Sequence, residues 1–406
     1  MRLLPEPGPA RTLALSSLVN TIGRGTWLTA SALFLTHSVG LTVAQVGLGL
    51  TVTALVGLVA SAPTGYLADR YGPRGIQMAA LLASAACTAA LVAVRSFAEF
   101  LVVGVLMAVA DAASRGSRGA LIAGAVPAEQ RVHTRAYLRA VTNVGISVGA
   151  VVAGVGIAAD ARAGYVALIV LDTVTYLVAA AVLLRLPAVP PVPAPTQGPR
   201  LIALRDRPFL AFTVLDGLMS MHFGLLNIAL PLWIAGHTTA PHWLISACML
   251  VNTVMVVLFQ VRASRGTEDL AGAGRAARRA GAVIAVACAL FAASGGVPTV
   301  VAVPLLLGGA LVHVVGELWH AAAGWGISFG LAPAGAQGQY QGAYGMGMQL
   351  GSMAAPVVVT TLAVGWGVPG WLLLGGLFLL LGALVPPVVR WAASTRVDRA
   401  AEPVAA

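Results

Sequence analysis

Seven charged side chains lie within long apolar stretches of this 406-residue chain, and they are the residues best placed to do chemistry. An ionised group among apolar residues is costly, so such groups face a wet cavity or pair with one another. Three of the seven are basic and four are acidic, and this near balance favours pairing. Groups of this kind bind ionic ligands or carry protons. They are Arg24, Asp111, Arg115, Arg118, Asp172, Asp216 and Glu317.

Glu317 lies between two histidines, in the pattern H-x-x-x-E-x-x-H formed with His313 and His320. On a helix this spacing puts all three side chains on one face. The pattern differs from the H-E-x-x-H of zinc proteases, so it favours a proton relay or a substrate contact over a metal site. No metal or other cofactor is predicted. Because arginine keeps its proton at accessible pH, we expect the proton carrier to be a carboxylate, either Glu317 or Asp216.

Three further helical faces carry polar or charged groups at helical spacing, and one of them also carries a tryptophan. Asp111, Arg115 and Arg118 share one such face. Trp319 adjoins the histidines, where its ring could line an apolar pocket, although such rings more often serve packing or interface anchoring. The other two faces carry Asn20, Arg24 and Trp27, and Asp216, Ser220 and Asn227.

The elements that carry these residues are long apolar helices. Hydrophobic residues make up 58% of the chain and charged residues only 9%, whereas soluble domains are about 25% charged. Apolar runs of about 20 residues span a bilayer as helices. The sequence therefore predicts an all-α membrane protein with twelve spans, at 12–36, 43–66, 75–95, 98–123, 134–158, 163–187, 208–235, 242–263, 278–296, 299–325, 338–364 and 367–390.

The twelve spans form two sets of six. A proline-rich stretch separates them, which predicts an N-terminal half at 1–187, a linker at 188–207 and a C-terminal half at 208–406. The chain contains no lysine, and nearly all of its arginines fall on one side of the spans. The positive-inside rule then places both termini and the linker in the cytoplasm. We interpret the first residues as a short cytoplasmic tail rather than a removed signal peptide.

The net charge of the chain is +10 at neutral pH, and membrane topology explains this excess of basic residues. The arginines occupy short segments between apolar runs, as the positive-inside rule requires. No nucleic-acid partner is therefore expected. The expected partners are the lipid bilayer, protons and a small-molecule substrate, with the chain acting as a monomer.

The two halves share a glycine pattern. Gly145 and Gly149 form a G-x-x-x-G pair in the fifth span, and Gly347 and Gly351 form one in the eleventh span, at the same offset. Small residues at this spacing allow close helix packing wherever they occur. Their matching offset also indicates an internal repeat, and repeats of this kind are typical of transporters with a site between the two halves.

A charged, glycine-rich turn, GYLADRYGPRG at 65–75, joins the second and third spans. It resembles the G-x-L-a-D-r-x-G-r-k motif of the major facilitator superfamily at the same position. The motif is matched everywhere except at Pro73, by Gly65, Leu67, Asp69, Arg70, Gly72 and Arg74. The RGSRG stretch at 115–119 resembles the R-x-x-x-G motif of the fourth helix of that family. The fifth span lacks the proline of the antiporter motif but matches it at Gly145, Gly149 and Gly154.

The resemblance implies two pseudo-symmetric six-helix halves with a cavity lined by helices 1, 4, 7 and 10. It assigns Arg115 to proton coupling, in which the arginine would lower the pKa of a nearby carboxylate. Asp111, on the same helix face, is expected to take part, and a structural ion pair with Arg115 is the alternative. Asp69 is expected to latch the halves by facing the positive end of helix 11. The expected gating residues are Gly65, Asp69, Arg70, Gly72, Arg74, Gly145 and Gly149. The expected cavity residues are Asn20, Arg24, Trp27, Ser220, Asn227, His313, His320 and Trp319.

The leading hypothesis is a proton-coupled secondary active transporter of the inner membrane. It would work by alternating access and export small amphipathic compounds, as bacterial drug:proton antiporters do. The alternative within transport is a proton-coupled importer of a small polar or anionic nutrient, with Arg24 and Arg115 contacting the anion. An intramembrane hydrolase and an ATP-driven pump are disfavoured because the sequence has no H-E-x-x-H and no nucleotide-binding loop. No enzymatic activity is expected.

Overall fold

The structure is a computed structural model, and it describes residues 7–158, 161–191 and 200–401. Within these residues the chain forms twelve long helices and no strand. In order, they are α1 (Pro9–Leu33), α2 (Val43–Tyr71), α3 (Pro73–Ala93), α4 (Phe97–Ala125), α5 (Ala128–Ala158), α6 (Arg162–Leu183), α7 (Arg207–His237), α8 (Trp243–Ala263), α9 (Leu270–Ala293), α10 (Thr299–Leu331), α11 (Ala334–Gly365) and α12 (Val368–Arg396). Each predicted span overlaps one of them, so the all-α membrane fold is confirmed.

Eleven of these helices, counted over the described residues, are long and apolar enough to cross a bilayer. The remaining helix, α1, has a polar inner face that includes the buried residues Ser16, Asn20 and Thr21. Large apolar side chains stay exposed on the outer surfaces of the other helices, as contact with lipid requires. They include Val59, Val151, Val155, Val300 and Val357. The chain is therefore a multi-pass membrane protein.

The chain divides into two compact units. Unit 1 comprises Met1–Ala203 together with Pro333–Gly345, and unit 2 comprises Leu204–Ala332 together with Met346–Ala406. The first residues of α11 thus belong to unit 1, although the rest of that helix belongs to unit 2. Part of the predicted linker, residues 192–199, lies outside the described residues.

In unit 1, α1 packs against α5 and α6, α2 packs against α4, and α3 packs against α4 and α6. Glycines make the α1–α5 contact close. A Cβ atom at Gly25 would collide with the backbone of Ile146, and one at Gly149 would collide with the backbone of Ile22. Because any larger side chain would force the helices apart, the glycine pair of the fifth span sets this helix–helix distance.

In unit 2, α9 packs against α10 and α12, and α8 packs against α10. A Cβ atom at Gly351 would collide with the carbonyl of Gly217, and one at Gly347 would collide with the carbonyl of Thr213. These contacts bring α11 against α7 just as α5 lies against α1. The repeated glycine pair therefore serves the same packing in both units, as an internal repeat requires.

Helix α7 is not a uniform α-helix. It contains a 3₁₀ turn at Ser220–His222 and a π-helical turn at Leu225–Ala229. A residue in a 3₁₀ turn advances about 120° around the axis, whereas an α-helical residue advances about 100°. The 3₁₀ turn therefore changes which side chains of α7 share a face, and irregular turns of this kind often mark functional sites.

Candidate functional site

Three buried histidines form a hydrogen-bonded chain inside unit 2. Nε2 of His222 lies 3.0 Å from Nδ1 of His320. The other ring nitrogen of His222, Nδ1, lies 3.1 Å from Nε2 of His313. His222 is thus the central member and uses both of its ring nitrogens. Nε2 of His313 also lies 3.1 Å from the carbonyl oxygen of His222. We call these three residues the histidine triad.

A carboxylate lies at each end of the histidine triad. Oδ1 of Asp216 is 3.2 Å from Nε2 of His320, and Oε2 of Glu317 is 3.8 Å from Nδ1 of His313. The second distance is longer than a hydrogen bond, and neither of these two histidine nitrogens has a hydrogen-bond partner among the described residues. Both contacts must therefore tighten before a proton can pass along them. Asn252 holds Glu317 from another side, because its Nδ2 donates to Oε2 at 2.7 Å.

This chain of groups is shielded from solvent. His222 and His313 have no exposed surface, and the third histidine and both carboxylates are at most 5% exposed. The rings of Phe223 and Phe378 lie against His222, with ring centroids 4.2 Å and 6.3 Å away. Polar groups interact strongly in such a low dielectric, and leaving one of them unpaired is costly.

Two different helical geometries bring the site together. On α10, regular spacing puts His313, Glu317 and His320 on one face. On a regular helix, His222 would lie about 120° around the axis from Asp216. The 3₁₀ turn of α7 reduces that angle to about 60°. Both side chains of α7 consequently reach the histidines of α10.

The arrangement fits proton movement. A neutral histidine carries one N–H and one bare nitrogen, so it can accept a proton on one side and release one from the other. With Nε2 protonated on each ring, a proton that reaches Nδ1 of His313 displaces the Nε2 proton toward His222. The same step repeats from His222 to His320, whose Nε2 faces Asp216. One proton thereby crosses the triad and leaves each ring protonated on Nδ1 instead of Nε2. The rings must turn over, or the protons must shift back, before a second proton can follow in the same direction.

A metal ion does not fit this arrangement. The two nitrogens of His222 contact different histidines from opposite sides of the ring, so the three rings do not converge on one point. A metal ion needs donors that converge on it. In the part of the chain that the structure describes, no group of three or more His, Cys, Asp or Glu residues could hold one.

Unit 1 holds a second charged group, formed by α1 and α4. Nη2 of Arg24 donates to Oδ2 of Asp111 at 3.3 Å, and Nη1 of Arg115 lies 3.9 Å from the same oxygen. These side chains are between 32% and 40% exposed, so the group borders open space rather than a dry core. The pairing expected between Asp111 and Arg115 is present, and Arg24 joins it from α1. Their role in proton coupling stays a prediction.

The other predicted cavity residues make local contacts. The side chains of Ser220 and Asn227 each donate to a carbonyl of their own helix, and Asn227 is exposed. Trp27 and Trp319 are partly buried against apolar clusters of unit 1 and unit 2, respectively. Asn20 is buried, and its Oδ1 has no hydrogen-bond partner among the described residues. A substrate role for these residues stays a prediction.

The motif at 65–75 ties α2 to the start of α11 within unit 1. The two carboxylate oxygens of Asp69 accept the backbone N–H groups of Gly338, at 2.6 Å, and Gln339, at 3.0 Å. These groups lie at the positive end of the helix, where a carboxylate is stabilising. The close approach depends on Gly65, where a Cβ atom would collide with the carbonyl of Gly338. The expected contact of Asp69 is present, and its role in gating stays a prediction.

The remaining motif residues shape the turn between α2 and α3. Gly72 has a φ of +92°, which favours glycine over residues with a Cβ atom. Nη2 of Arg74 donates to the carbonyl of Leu184 at 2.9 Å and so links the start of α3 to the end of α6. Arg70 is exposed, and its guanidinium lies 6.0 Å from the ring centroid of Tyr71.

One stretch matches the sequence of a hydrolase motif but does not have the structure that the motif requires. GISVG at 145–149 matches G-x-S-x-G, but it lies in the middle of α5. The nucleophile motif requires a sharp turn between a strand and a helix, which exposes the serine. Here the two glycines instead pack α5 against α1. The stretch therefore gives no support to the hydrolase alternative.

The sequence analysis missed two residues of the site, His222 and Asn252. His222 was missed because regular helical spacing turns it away from Asp216. A usable signal was present, since only seven histidines occur in the chain and three of them lie deep inside apolar runs. Asn252 offered no signal beyond being a polar residue in an apolar helix.

Comparison with known proteins finds one matching family model and several similar solved structures. A family model described as Major Facilitator Superfamily matches residues 13–332. The fold is similar to that of the human organic anion transporter MFSD10, at 16% identity and a TM-score of 0.70, over 94% of this chain and 99% of that chain. It is also similar to a bacterial homologue of the iron transporter ferroportin in an outward-facing state, at 15% identity and a TM-score of 0.71, over 95% and 99% of the two chains.

At these identities the structural similarity shows the fold alone, and no curated protein sequence matches the chain. The family model is the stronger finding because it matches most of the chain. The twelve helices and the apolar outer surface agree with it. The chain therefore belongs to the Major Facilitator Superfamily, and it is a membrane transporter rather than an enzyme.

Proposed function

We propose that this transporter is proton-coupled and that the histidine triad with its two carboxylates is the proton path. The observation that supports this proposal is the buried row of side chains Asp216, His320, His222, His313 and Glu317 in unit 2. Ionisable groups are expensive inside a membrane protein and are retained there chiefly for ion pathways and proton relays. Histidine is the side chain whose ordinary pKa lies nearest to physiological pH, which suits a relay that must both accept and release protons.

Neither end of the path is closed by a hydrogen bond, and the two ends differ in the length of the contact, 3.2 Å at Asp216 and 3.8 Å at Glu317. The links inside the triad are at hydrogen-bond length, at 3.0 Å and 3.1 Å. The link to Glu317 is open at 3.8 Å, and Asn252 engages the same carboxylate oxygen. We assign to Glu317 the role of a movable proton donor and acceptor. When it leaves Asn252 and approaches His313, a proton can enter the triad and reach Asp216.

The proposed transport cycle exchanges protons for substrate by alternating access in the cytoplasmic membrane, with both termini in the cytoplasm. The group formed by Arg24, Asp111 and Arg115 would respond to substrate in unit 1, while the triad responds to protons in unit 2. Export of small amphipathic compounds is the preferred direction, supported by the glycines of α5 that match the antiporter pattern. We propose that a single chain is the working unit.

Import of a small anionic nutrient is the second candidate function. It is favoured by the excess of arginine over carboxylate in the polar interior of unit 1, where one aspartate, Asp111, serves both Arg24 and Arg115. An exporter and an importer differ in the direction of substrate movement down an imposed proton gradient, so the structure of the proton path is compatible with either.

The experiment that tests the proposal begins with cells that overproduce the chain and are exposed to a panel of amphipathic cations, anions and neutral compounds. Export predicts resistance to at least one compound, and import predicts sensitivity or faster uptake. The selected compound is then added to proteoliposomes that carry a pH-sensitive dye. Proton movement that depends on the compound supports coupling. Transport of the compound with no proton movement, and with no response to an imposed pH gradient, would contradict it.

A further inference from the structure

A carboxyl group deep in unit 1, that of Asp172, has few of the contacts that stabilise a negative charge. It lies on α6, ten residues after Arg162 and eleven before Leu183, and so at the middle of its span. The residue is 1% exposed, and its Oδ1 has no hydrogen-bond partner among the described residues. The hydroxyl of Thr175 does not supply one, because it donates to the backbone carbonyl of Asp172 at 2.8 Å.

Burial of this kind favours a neutral, protonated carboxyl group. An isolated carboxylate ion is far costlier in a low dielectric than a neutral polar group, so it takes up a proton instead. The other aspartate within the spans of unit 1, Asp111, differs in both respects. Its side chain is 32% exposed and lies within 4 Å of two arginines, whereas Asp172 forms no ion pair with any described residue. The two aspartates therefore differ in what holds their charge.

Helix α1 touches the carboxyl group of Asp172 one residue before Arg24. A Cβ atom at Gly23 would collide with Oδ1 of Asp172, so only a glycine lets this group lie against the backbone of α1. A second contact confirms the antiparallel register of the two helices. The hydroxyl of Ser16, seven residues before Gly23, donates at 3.0 Å to the carbonyl of Ala179, seven residues after Asp172. Asp172 therefore lies beside the part of α1 that carries Arg24.

Arg24 is engaged with the other carboxylate at this depth. Its Nη2 donates to Oδ2 of Asp111 at 3.3 Å, and Asp111 lies fourteen residues from each end of α4, again at the middle of a span. The side chain of Arg24 is 40% exposed, which leaves room for it to move. Electrostatic attraction acts between Arg24 and both carboxylates, more strongly with Asp111. One arginine thus has two carboxylates at its own level and is bound to one of them.

The other ionisable groups on the helices around Asp172 do not take the place of Arg24. The tyrosine and the cysteine among them are neutral at neutral pH. The arginines all lie one or more helical turns nearer the membrane side on which α4 ends, and α5 carries no ionisable residue from 140 to 158. These groups are Arg11 on α1, Arg74 and Cys87 on α3, Arg115 and Arg118 on α4, and Tyr176 on α6.

We propose that Asp172 holds a proton in this conformation and releases it when Arg24 turns from Asp111 to Asp172. The O–H bond of the carboxyl group breaks, its electron pair stays on the carboxylate oxygen, and the proton passes to solvent water beside the partly exposed Arg24 side chain. A ligand that competes with Arg24 for Asp111 then displaces one proton. The inference rests on the proposed proton coupling for its role in transport, although the exchange itself is measured without transport.

The test records the infrared C=O stretch of protonated carboxyl groups in the purified full chain at neutral pH, in a detergent without ester or carboxyl groups. Exposed aspartates titrate near about pH 4, so they are ionised and do not contribute. We expect the signal to fall by one carboxyl group per chain in Asp172→Asn. The unfolding midpoint should change by less than about 2 °C, because a neutral amide replaces a neutral carboxyl group of the same shape. The control, Glu129→Gln at an exposed position, should leave the signal unchanged.

Two further variants test the movement of Arg24. Asp111→Asn removes the anion that holds Arg24, so the guanidinium should turn to Asp172, and the carboxyl signal of Asp172 should be lost although the residue is present. Adding Arg24→Gln to Asp111→Asn should restore the signal, because no cation is left to favour the ionised form. Unfolding midpoints check that each variant is folded, and Asp111→Ser replaces Asp111→Asn if the asparagine variant does not fold.

Two kinds of result would overturn the proposal. Equal carboxyl signals in the wild-type chain and Asp172→Asn, or a midpoint several degrees lower in that variant, would show that Asp172 is an ionised structural partner. A signal of Asp172 that persists in Asp111→Asn, or that stays lost after Arg24→Gln is added, would show that Arg24 does not control the proton. None of these measurements involves the histidine triad, so failure of this inference and failure of the proposed proton path are distinguishable.

Discussion

Nε2 of His222 lies 3.0 Å from Nδ1 of His320, although 98 residues separate them in sequence. The contact joins the 3₁₀ turn of α7 to the inner face of α10. It makes His222 the middle of a buried path, because the other nitrogen of the same ring contacts His313. Proton coupling, if it runs through this path, should depend on the middle ring as strongly as on the carboxylates at the ends.

The two carboxylates should have different functions. Glu317→Gln mimics the protonated form and keeps a partner for Asn252, so we expect it to abolish proton-driven transport but to preserve substrate exchange without net proton movement. Asp216→Asn should also impair coupling, because it removes the proton acceptor at the other end of the path. Proton uptake and substrate exchange are measured on the same proteoliposomes, with exposed Glu129→Gln as the control. Coupling that survives in Glu317→Gln but not in Asp216→Asn would move the proton-donating role to α7.

Asp69→Asn should weaken the contact between α2 and α11. The amide can accept only one of the two N–H groups of Gly338 and Gln339, and its own NH₂ would face the other. We expect slower transport at normal abundance, from the loss of about 0.3–2 kcal/mol of helix-end stabilisation. The matched control is Asp269→Asn, which alters an N-cap of α9 at Gly272. Equal transport losses in both variants would show that Asp69 has no special role.

The α1–α5 contact predicts a large difference between two glycine substitutions on the same helix. Gly149→Ala would drive a Cβ atom into the backbone of Ile22, whereas Gly154→Ala meets nothing within 4 Å. We expect the first to cost about 1–3 kcal/mol. The second should be neutral or stabilising by up to about 1 kcal/mol, since alanine favours helix. Thermal unfolding of the two purified variants checks this, and similar midpoints would refute the packing argument.

The orientation of the chain can be tested with single cysteines in a background without Cys87, Cys248 and Cys288. The positive-inside rule predicts that Arg70→Cys and Arg275→Cys are protected from impermeant thiol reagents in intact cells. Thr239→Cys, in the loop after α7, should react. All three positions are exposed on the protein surface, so access depends on the membrane side. Labelling of Arg70→Cys from outside the cell would show that the chain has the opposite orientation in the membrane.

The helices could be predicted from the sequence because lipid imposes a simple rule. Each span is a long apolar run, and its length is set by the bilayer. Glu317 and its flanking histidines could be predicted for a similar reason, since α10 keeps regular spacing over that stretch. The close approach of Asp69 to the start of α11 followed from helix-end electrostatics.

The rest of the site could not be read from helical spacing. His222 joins Asp216 only through a local 3₁₀ turn, and the sequence SMH carries no glycine or proline that would signal one. Asn252 reaches Glu317 from α8, a contact set by tertiary packing between two helices.

The most direct test of the proton path is His222→Phe in proteoliposomes, with compound-dependent proton movement and compound binding measured together. Phenylalanine keeps a planar ring in an apolar site but cannot accept or release a proton. The matched control is His242→Phe, at an exposed position before α8. The account predicts that proton movement falls at least about tenfold in His222→Phe, as expected when one proton-transfer group is removed, while binding persists. Unchanged proton movement in a correctly folded His222→Phe protein would contradict it.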